Sequence, residues 1–185
     1  MKGSRLNMGL AVLGLTMAMV LPAAATVVLQ MEIEDMIPLT PVVLIGEVNR
    51  VEASYNAEKT KIHTRVWITP SEILKGSKDL GTVVVKTIGG QVGDTVAHLP
   101  GAPRFEQGER VLVFLEPRED GEGYLTIGFY QGKFKIFKDP KTSQDMLLRD
   151  TPERGVGVVA TGANHFDSKV RSLAEVRSLF AGGGQ

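Results

Sequence analysis

Four runs of β-branched and aromatic residues constrain this chain more than anything else in it. They are Val42–Val51 (VVLIGEVNRV), Lys61–Thr69 (KIHTRVWIT), Thr82–Ile88 (TVVVKTI) and Arg110–Leu115 (RVLVFL). Each has the length and composition of a strand. The second alternates cleanly, with Ile62, Thr64, Val66 and Ile68 on one face and His63, Arg65, Trp67 and Thr69 on the other. The third and fourth are nearly unbroken apolar runs, which predicts burial on both faces over part of their length. Gly46 inside the first predicts a bulge or sharp coil. Polar Ser54–Thr60 joins the first two runs as a hairpin, and Pro70 is expected to end the second.

Weaker patterns complete the chain. Tyr124–Phe129 and Lys133–Phe137 read as a fifth and a sixth strand, split at Gln131-Gly132, and Asp145–Arg149 as a short edge strand. Thr151–His165 is glycine-rich and poorly patterned. Ser172 and Glu175 form a capping-box pair ahead of Leu173, Val176, Leu179 and Phe180 at helical spacing, and Gly182–Gly184 ends that helix, expected over about 172–181. Met31–Ile37 reads as two turns of helix stopping before Pro38, or as a strand in its first half. Five to six short strands joined by hairpin-like turns, with one terminal helix, predict a mainly β fold: a small antiparallel β-barrel with a C-terminal α-helix.

The first 25 residues are excluded from that fold. Lys2 and Arg5 precede an apolar run from Leu6 to Leu21, and Pro22 and Ala23-Ala24-Ala25 come after it. This is the pattern of a signal peptide cleaved near Ala25; an uncleaved anchor is the competing reading. The chain is therefore expected to be exported, periplasmic or extracellular, with no stable membrane span after cleavage. The expected organisation is a leader over 1–25, an N-terminal segment over 26–40, the barrel over 41–138 and a C-terminal extension over 139–185. The 185 residues carry 21 basic and 21 acidic side chains and no cysteine. Charge balance argues against nucleic-acid binding. Without disulfides an exported domain must rely on its hydrophobic core, and a core of this size suffices.

Between the third and fourth runs lies a connection of about twenty residues, Gly89 to Glu109 (GGQVGDTVAHLPGAPRFEQGE). Compact domains seldom keep so long a connection without a use for it. Gly89, Gly90 and Gly93 lack the Gly-Lys-Ser/Thr ending of a phosphate loop and the helix of a dinucleotide site, so they read as a strand exit. Asp94 and His98 put an acid near an imidazole, but neither GxSxG nor SxxK supplies a nucleophile. Pro100-Gly101 favours a type II turn, Pro103 stiffens the residues after it, and Phe105 either packs on the barrel or tips a partner-binding surface. Glu109 is placed to accept loop amides. A second candidate surface is an aromatic platform of Tyr55, His63, Arg65 and Trp67; in the alternative, Trp67 lies under the C-terminal helix. His63, His98 and His165 share no metal-ligand spacing. No catalytic residue, metal or cofactor is implied.

The order VVLIGEV, polar hairpin, a strand running into SEILKG, TVVVKTIGG, loop, RVLVFL resembles the OB-fold barrel of the netrin-like module. The nearest likeness is to the inhibitory domain of tissue inhibitors of metalloproteinases, and it covers roughly Pro41 to Lys138. The chain is also similar to uncharacterised exported bacterial proteins sharing GG…PGxPxFxxGE. The resemblance implies an OB-like barrel acting as a binding module for a protein partner, with proteases among the partners it brings into view. It does not carry over the inhibitors' zinc-binding N-terminal cysteine, since this chain has none. An envelope hydrolase or metal-dependent enzyme is the alternative, and a structural envelope protein a third.

Overall fold

A computed structural model describes residues 26–150, 156–159 and 170–181. The segment expected to be a leader, with its expected cleavage site, and His165 and Gly182–Gly184 lie outside the described residues. The elements run β1 (Thr26–Leu29), α1 (Ile33–Leu39), β2 (Val42–Tyr55), β3 (Ile62–Lys75), β4 (Val83–Ile88), β5 (Gly90–Val92), β6 (Thr95–Ala97), β7 (Arg110–Pro117) and β8 (Tyr124–Thr126). A 3-10 turn (Phe129–Gly132) then leads to β9 (Lys133–Lys138), β10 (Asp145–Arg149), β11 (Val156–Val159), β12 (Arg171–Ser172) and α2 (Leu173–Ala181).

The main sheet has the order β12-β10-β9-β7-β2-β3-β4-β8, and β8 also pairs with β7, so β2, β3, β4, β8 and β7 close a five-stranded barrel. The expected antiparallel barrel is in fact mixed. A closed ring with an odd number of strands cannot alternate direction throughout, so one neighbouring pair must be parallel. Here that pair is β4–β8, met at Val85 and Tyr124. A separate parallel pair joins β1 to β11.

Strand alternation generates two cores. Val42, Leu44 and Val48 of β2, Val66 and Ile68 of β3, Val83 and Val85 of β4, and Val111, Val113 and Leu115 of β7 form one buried cluster. The intervening residues, Val43, Ile45, Leu112 and Phe114, join Phe134, Ile136 and Leu147 in a second. Onto this second cluster Ile33 and Met36 of α1 and Leu173 and Val176 of α2 are packed. The unbroken apolar character of β7 and of the start of β2 thus has a physical cause: both faces are covered. In β4 double burial is only partial, because Val84 is half-buried.

The segments before and after the barrel are joined to each other. Arg171 donates to both carboxylate oxygens of Glu34, at 3.0 and 2.8 Å. This guanidinium holds the Glu34 carboxyl below the usual carboxylate range. At the start of α2 the Glu175 amide donates to Ser172 Oγ at 3.1 Å, the cap expected from the pattern.

Three boundaries differ from expectation. β3 does not stop at Pro70; it continues to Lys75, and Pro70 sits opposite Gly46 beside a register shift between Ile45 and Gly46. A bulge tolerates the missing N–H of proline. A Cβ at Gly46 would come within 2.6 Å of the Thr69 carbonyl, which leaves no room for a side chain. α1 includes Pro38 in its last turn, and Thr40 Oγ1 donates to the Met36 carbonyl at 2.7 Å to finish it. The fifth strand ends at Thr126, and Phe129 belongs to the 3-10 turn instead.

Candidate functional site

The Gly89–Glu109 insertion divides into a projecting hairpin and a packed lobe. β5 and β6 form the hairpin, with Gly93 and Asp94 at its tip. At its base Thr64 Oγ1 donates to the Gly89 carbonyl at 2.7 Å, and Gly89 has φ +97°, the left-handed geometry a strand exit needs. Gly90 is half-buried beside it. Asp94 is exposed at the tip while His98 comes after β6 at the base, so the acid and imidazole stand at opposite ends of the hairpin. His98 Nδ1 instead meets Arg104 Nη2 at 3.4 Å.

The lobe begins with the expected tight turn. The Ala102 amide donates to the Leu99 carbonyl at 3.1 Å, with Gly101 at φ +86° in the position where type II geometry requires a positive angle. Gly101 and Pro103 are buried, and Pro100 is half-buried. Phe105 packs against the barrel-interior cluster, so its ring serves as an anchor rather than an exposed tip. The Gly108 amide donates to the Val48 carbonyl at 2.7 Å, and the Val48 amide donates to the Glu109 carbonyl at 2.9 Å, stitching the lobe's end to β2.

On one side of the lobe is an ionic cluster. Glu109 Oε1 lies 2.7 Å from Lys133 Nζ, and the two side chains are 3% and 4% exposed. Glu109 Oε2 accepts the Glu106 amide at 3.2 Å, which is the expected loop-amide cap. The Phe105 ring centroid is 5.5 Å from Lys133 Nζ, within cation–π range. Asp150 Oδ2 stands 3.6 Å from the same nitrogen. A cavity of about 300 Å³ opens beside this cluster, bordered also by Ala102, Arg104, Tyr130 and Lys135.

On the other side is an apolar cleft of about 390 Å³. Ile88, Leu99, Pro103, Leu125 and Phe129 wall it, and His63, Lys86 and Arg118 stand among its lining groups together with Glu116. Ile88 and Phe129 remain 51% and 43% exposed. Phe129 has φ +60° and comes directly after Gly128 at φ +62°. A bulky residue in the left-handed region costs about 1–2 kcal/mol and persists only where its surroundings dictate it. Gln131, fully buried, supplies that constraint. Its Nε2 donates to the Leu29 carbonyl at 2.8 Å, and its Oε1 accepts the Met31 amide at 2.9 Å. The Tyr130 amide also donates to the Gly101 carbonyl at 3.0 Å, tying the turn to the lobe. Burial lowers the His63 pKa, and the charges of Lys86, Arg118 and Lys61 lower it further, so the charged imidazolium is disfavoured at this end of the cleft. Lys86 is paired with Glu122 at 3.2 Å and Arg118 with Asp120 at 2.9 Å, both acids lying outside the cleft lining.

The expected aromatic platform is not assembled. Tyr55 pairs with Ile62, whereas His63 pairs with Ser54 and Trp67 with Arg50, so Tyr55 lies on the opposite face of the ribbon from His63, Arg65 and Trp67. The Arg50 guanidinium covers the Trp67 ring at 4.7 Å. The alternative placement under α2 is not found either, because that helix seats on Phe114, Phe134 and Ile136. Of the four, His63 alone lines the cleft; Arg65 lines a separate groove with Thr82 and Tyr124.

Pattern reading missed Lys86, Ile88, Arg118, Phe129, Gln131 and Lys133. For Lys133 a signal existed: it is a charge at the head of a strand whose Phe134 and Ile136 share one face. For Phe129 there was none, since nothing in Gly128-Phe129 announces two successive left-handed residues. Among the described residues no three His, Asp or Glu side chains converge to hold a metal ion. No family model, curated protein or solved structure matches this chain.

Proposed function

We propose that this chain is an exported binding module whose apolar cleft docks a protein partner. The observation that carries the reading is Phe129: an aromatic ring kept exposed in a cleft, on a backbone conformation that costs energy and is enforced by a buried glutamine. Strain at an aromatic left 43% exposed has only part of the usual packing benefit to offset it, which is the pattern of a binding element. The partner's contact is an apolar side chain with acidic neighbours, because Ile88, Leu99 and Phe129 provide the floor and Lys86 and Arg118 the charges. The OB-like, netrin-like description of the barrel and the leader over residues 1–25 belong to the same proposal. A secreted or envelope protein, a protease among them, is the class of partner it implies. Only part of the insertion is engaged: Leu99, Ala102 and Pro103 face the cleft.

A photoreactive phenylalanine analogue at position 129, introduced in the native host, tests this by capturing the partner. Titration of the purified partner should then show binding to Phe129→Ala and to Lys86→Glu weakened roughly tenfold or more, the worth of about 1.4 kcal/mol. Unchanged affinity in both variants, with normal circular dichroism, removes the cleft from the function.

A further inference from the structure

The ionic cluster on the far side of the lobe is arranged for chemistry as well as for anchoring. We propose that Lys133 and Asp150 become joined by an amide bond, with Glu109 carrying the protons. Lys133 opens β9, and the β9–β10 ladder ends with Phe134 opposite Arg149, so the next step along it sets Asp150 across from Lys133. The amine nitrogen and the Asp150 carboxylate are 3.6 Å apart, and Glu109 touches the same nitrogen at 2.7 Å. The nucleophile and the proton carrier are almost wholly shielded from water, and the Phe105 ring closes one side.

Two features favour condensation here. An amine and an acid held in contact react as though at an effective concentration of about 10⁵ M or more, which lowers the barrier to amide formation. Burying opposite charges costs several kcal/mol per ion, and condensation removes the buried Lys133 cation while leaving an amide N–H to donate to the Glu109 carboxylate. The steps balance without any co-reactant. The Lys133 ammonium passes a proton to the Glu109 carboxylate. The free amine attacks Asp150 Cγ, forming the C–N bond. Glu109 hands its proton to the departing oxygen, takes a second from the nitrogen and passes it to the same oxygen, the C–O bond breaks and water leaves. An ammonium and a carboxylate have become an amide and one water, and Glu109 is regenerated. The product is a covalent staple across the open end of the β9–β10 hairpin, in a chain with no cysteine to supply another.

The test is the intact mass of the purified full chain under denaturing conditions, referred to its own determined N-terminus. The expected mass is short by one water, and trypsin should fail to cut after Lys133, yielding a branched peptide that carries Asp150. Asp150→Ala should restore the full mass and the cleavage. Asp150→Asn should condense with loss of ammonia and give the same branched peptide. Glu109→Gln should remain unlinked, and the half-exposed Asp150 variants keep the test decisive if that protein does not fold. A wild-type chain at full mass that trypsin cuts after Lys133 overturns the proposal. So does a water deficit that survives Asp150→Ala.

Discussion

The two faces of the Leu99–Phe105 lobe meet at Ala102, which borders both cavities, and they are opposites. One face is closed around charge: Glu109 and Lys133 are desolvated, hydrogen-bonded and roofed by Phe105. The other is open around apolar surface: Ile88 and Phe129 stay in water while Pro103 is buried beneath them. Each carries a cost, desolvation on the first and backbone strain on the second. The first cost is offset locally by pairing. The second is met by Gln131, which donates to the Leu29 carbonyl, accepts from the Met31 amide and does not itself line the cleft. Anchoring and availability are thus kept apart within one insertion.

The largest way to break this contrast is to remove the anchor. In an Asp150→Ala background, where Lys133 stays an ammonium, Glu109→Leu alone strands that buried charge and should cost about 3–5 kcal/mol in urea unfolding, whereas Glu109→Leu with Lys133→Met should recover most of the loss. Equal losses in the single and double variants would mean that the pair does not hold the lobe. Gln131→Leu leaves the Met31 amide and the Leu29 carbonyl without their partner and should cost about 2–3 kcal/mol. It should also weaken partner binding, because Phe129 is no longer constrained. Gly101→Ala has space, the nearest foreign atom lying 3.6 Å from where its Cβ would stand, so the loss should be the backbone term of roughly 1 kcal/mol. Phe129→Gly sharpens the contrast with the opposite sign: stability should rise by up to about 1 kcal/mol while partner affinity falls. A variant that loses stability would show that the ring is packing, not waiting.

The smallest effect is one of pH. The Glu34 carboxyl, lowered chiefly by the hydrogen bonds from Arg171, stabilises the fold above its unfolded pKa, and that contribution is lost as pH falls through the lowered value. Glu34→Gln should therefore flatten the fall of the unfolding midpoint below about pH 4.5 and change little at neutrality. An unaltered acid limb would mean that the Arg171 contact does not persist in solution.

Much of the barrel was legible because its signals are local. β2, β3, β4 and β7 are written in runs of β-branched and aromatic residues, α2 in the Ser172–Glu175 cap and its apolar spacing, and the Pro100-Gly101 turn in residue type. The features that escaped depend on partners distant in sequence. Pro70 inside β3 is allowed by a bulge opposite Gly46, and Tyr55 is turned away from His63 because the hairpin turn pairs it with Ile62 instead. The parallel β4–β8 pair results from closing an odd ring, which no single segment records. The candidate site was only half legible: the lobe was marked by prolines and glycines, but Phe129 and Gln131 look like ordinary strand-end residues until the turn exists.

The doubly covered strand β7 carries a further consequence. Most strands are policed by polarity, because a slip of one residue throws apolar side chains into water. In Val111–Leu115 such a slip would exchange one buried set for another, and solvent would register little difference. The reading frame of β7 therefore needs a fixed mark outside the apolar run. Glu109 stands immediately before it and Lys133 at the head of β9, where Val113 faces Lys133 across the ladder. In a slipped alignment the carboxylate would miss its buried cation and both charges would be left in apolar surroundings. The pair works as punctuation, telling an otherwise ambiguous strand where to begin.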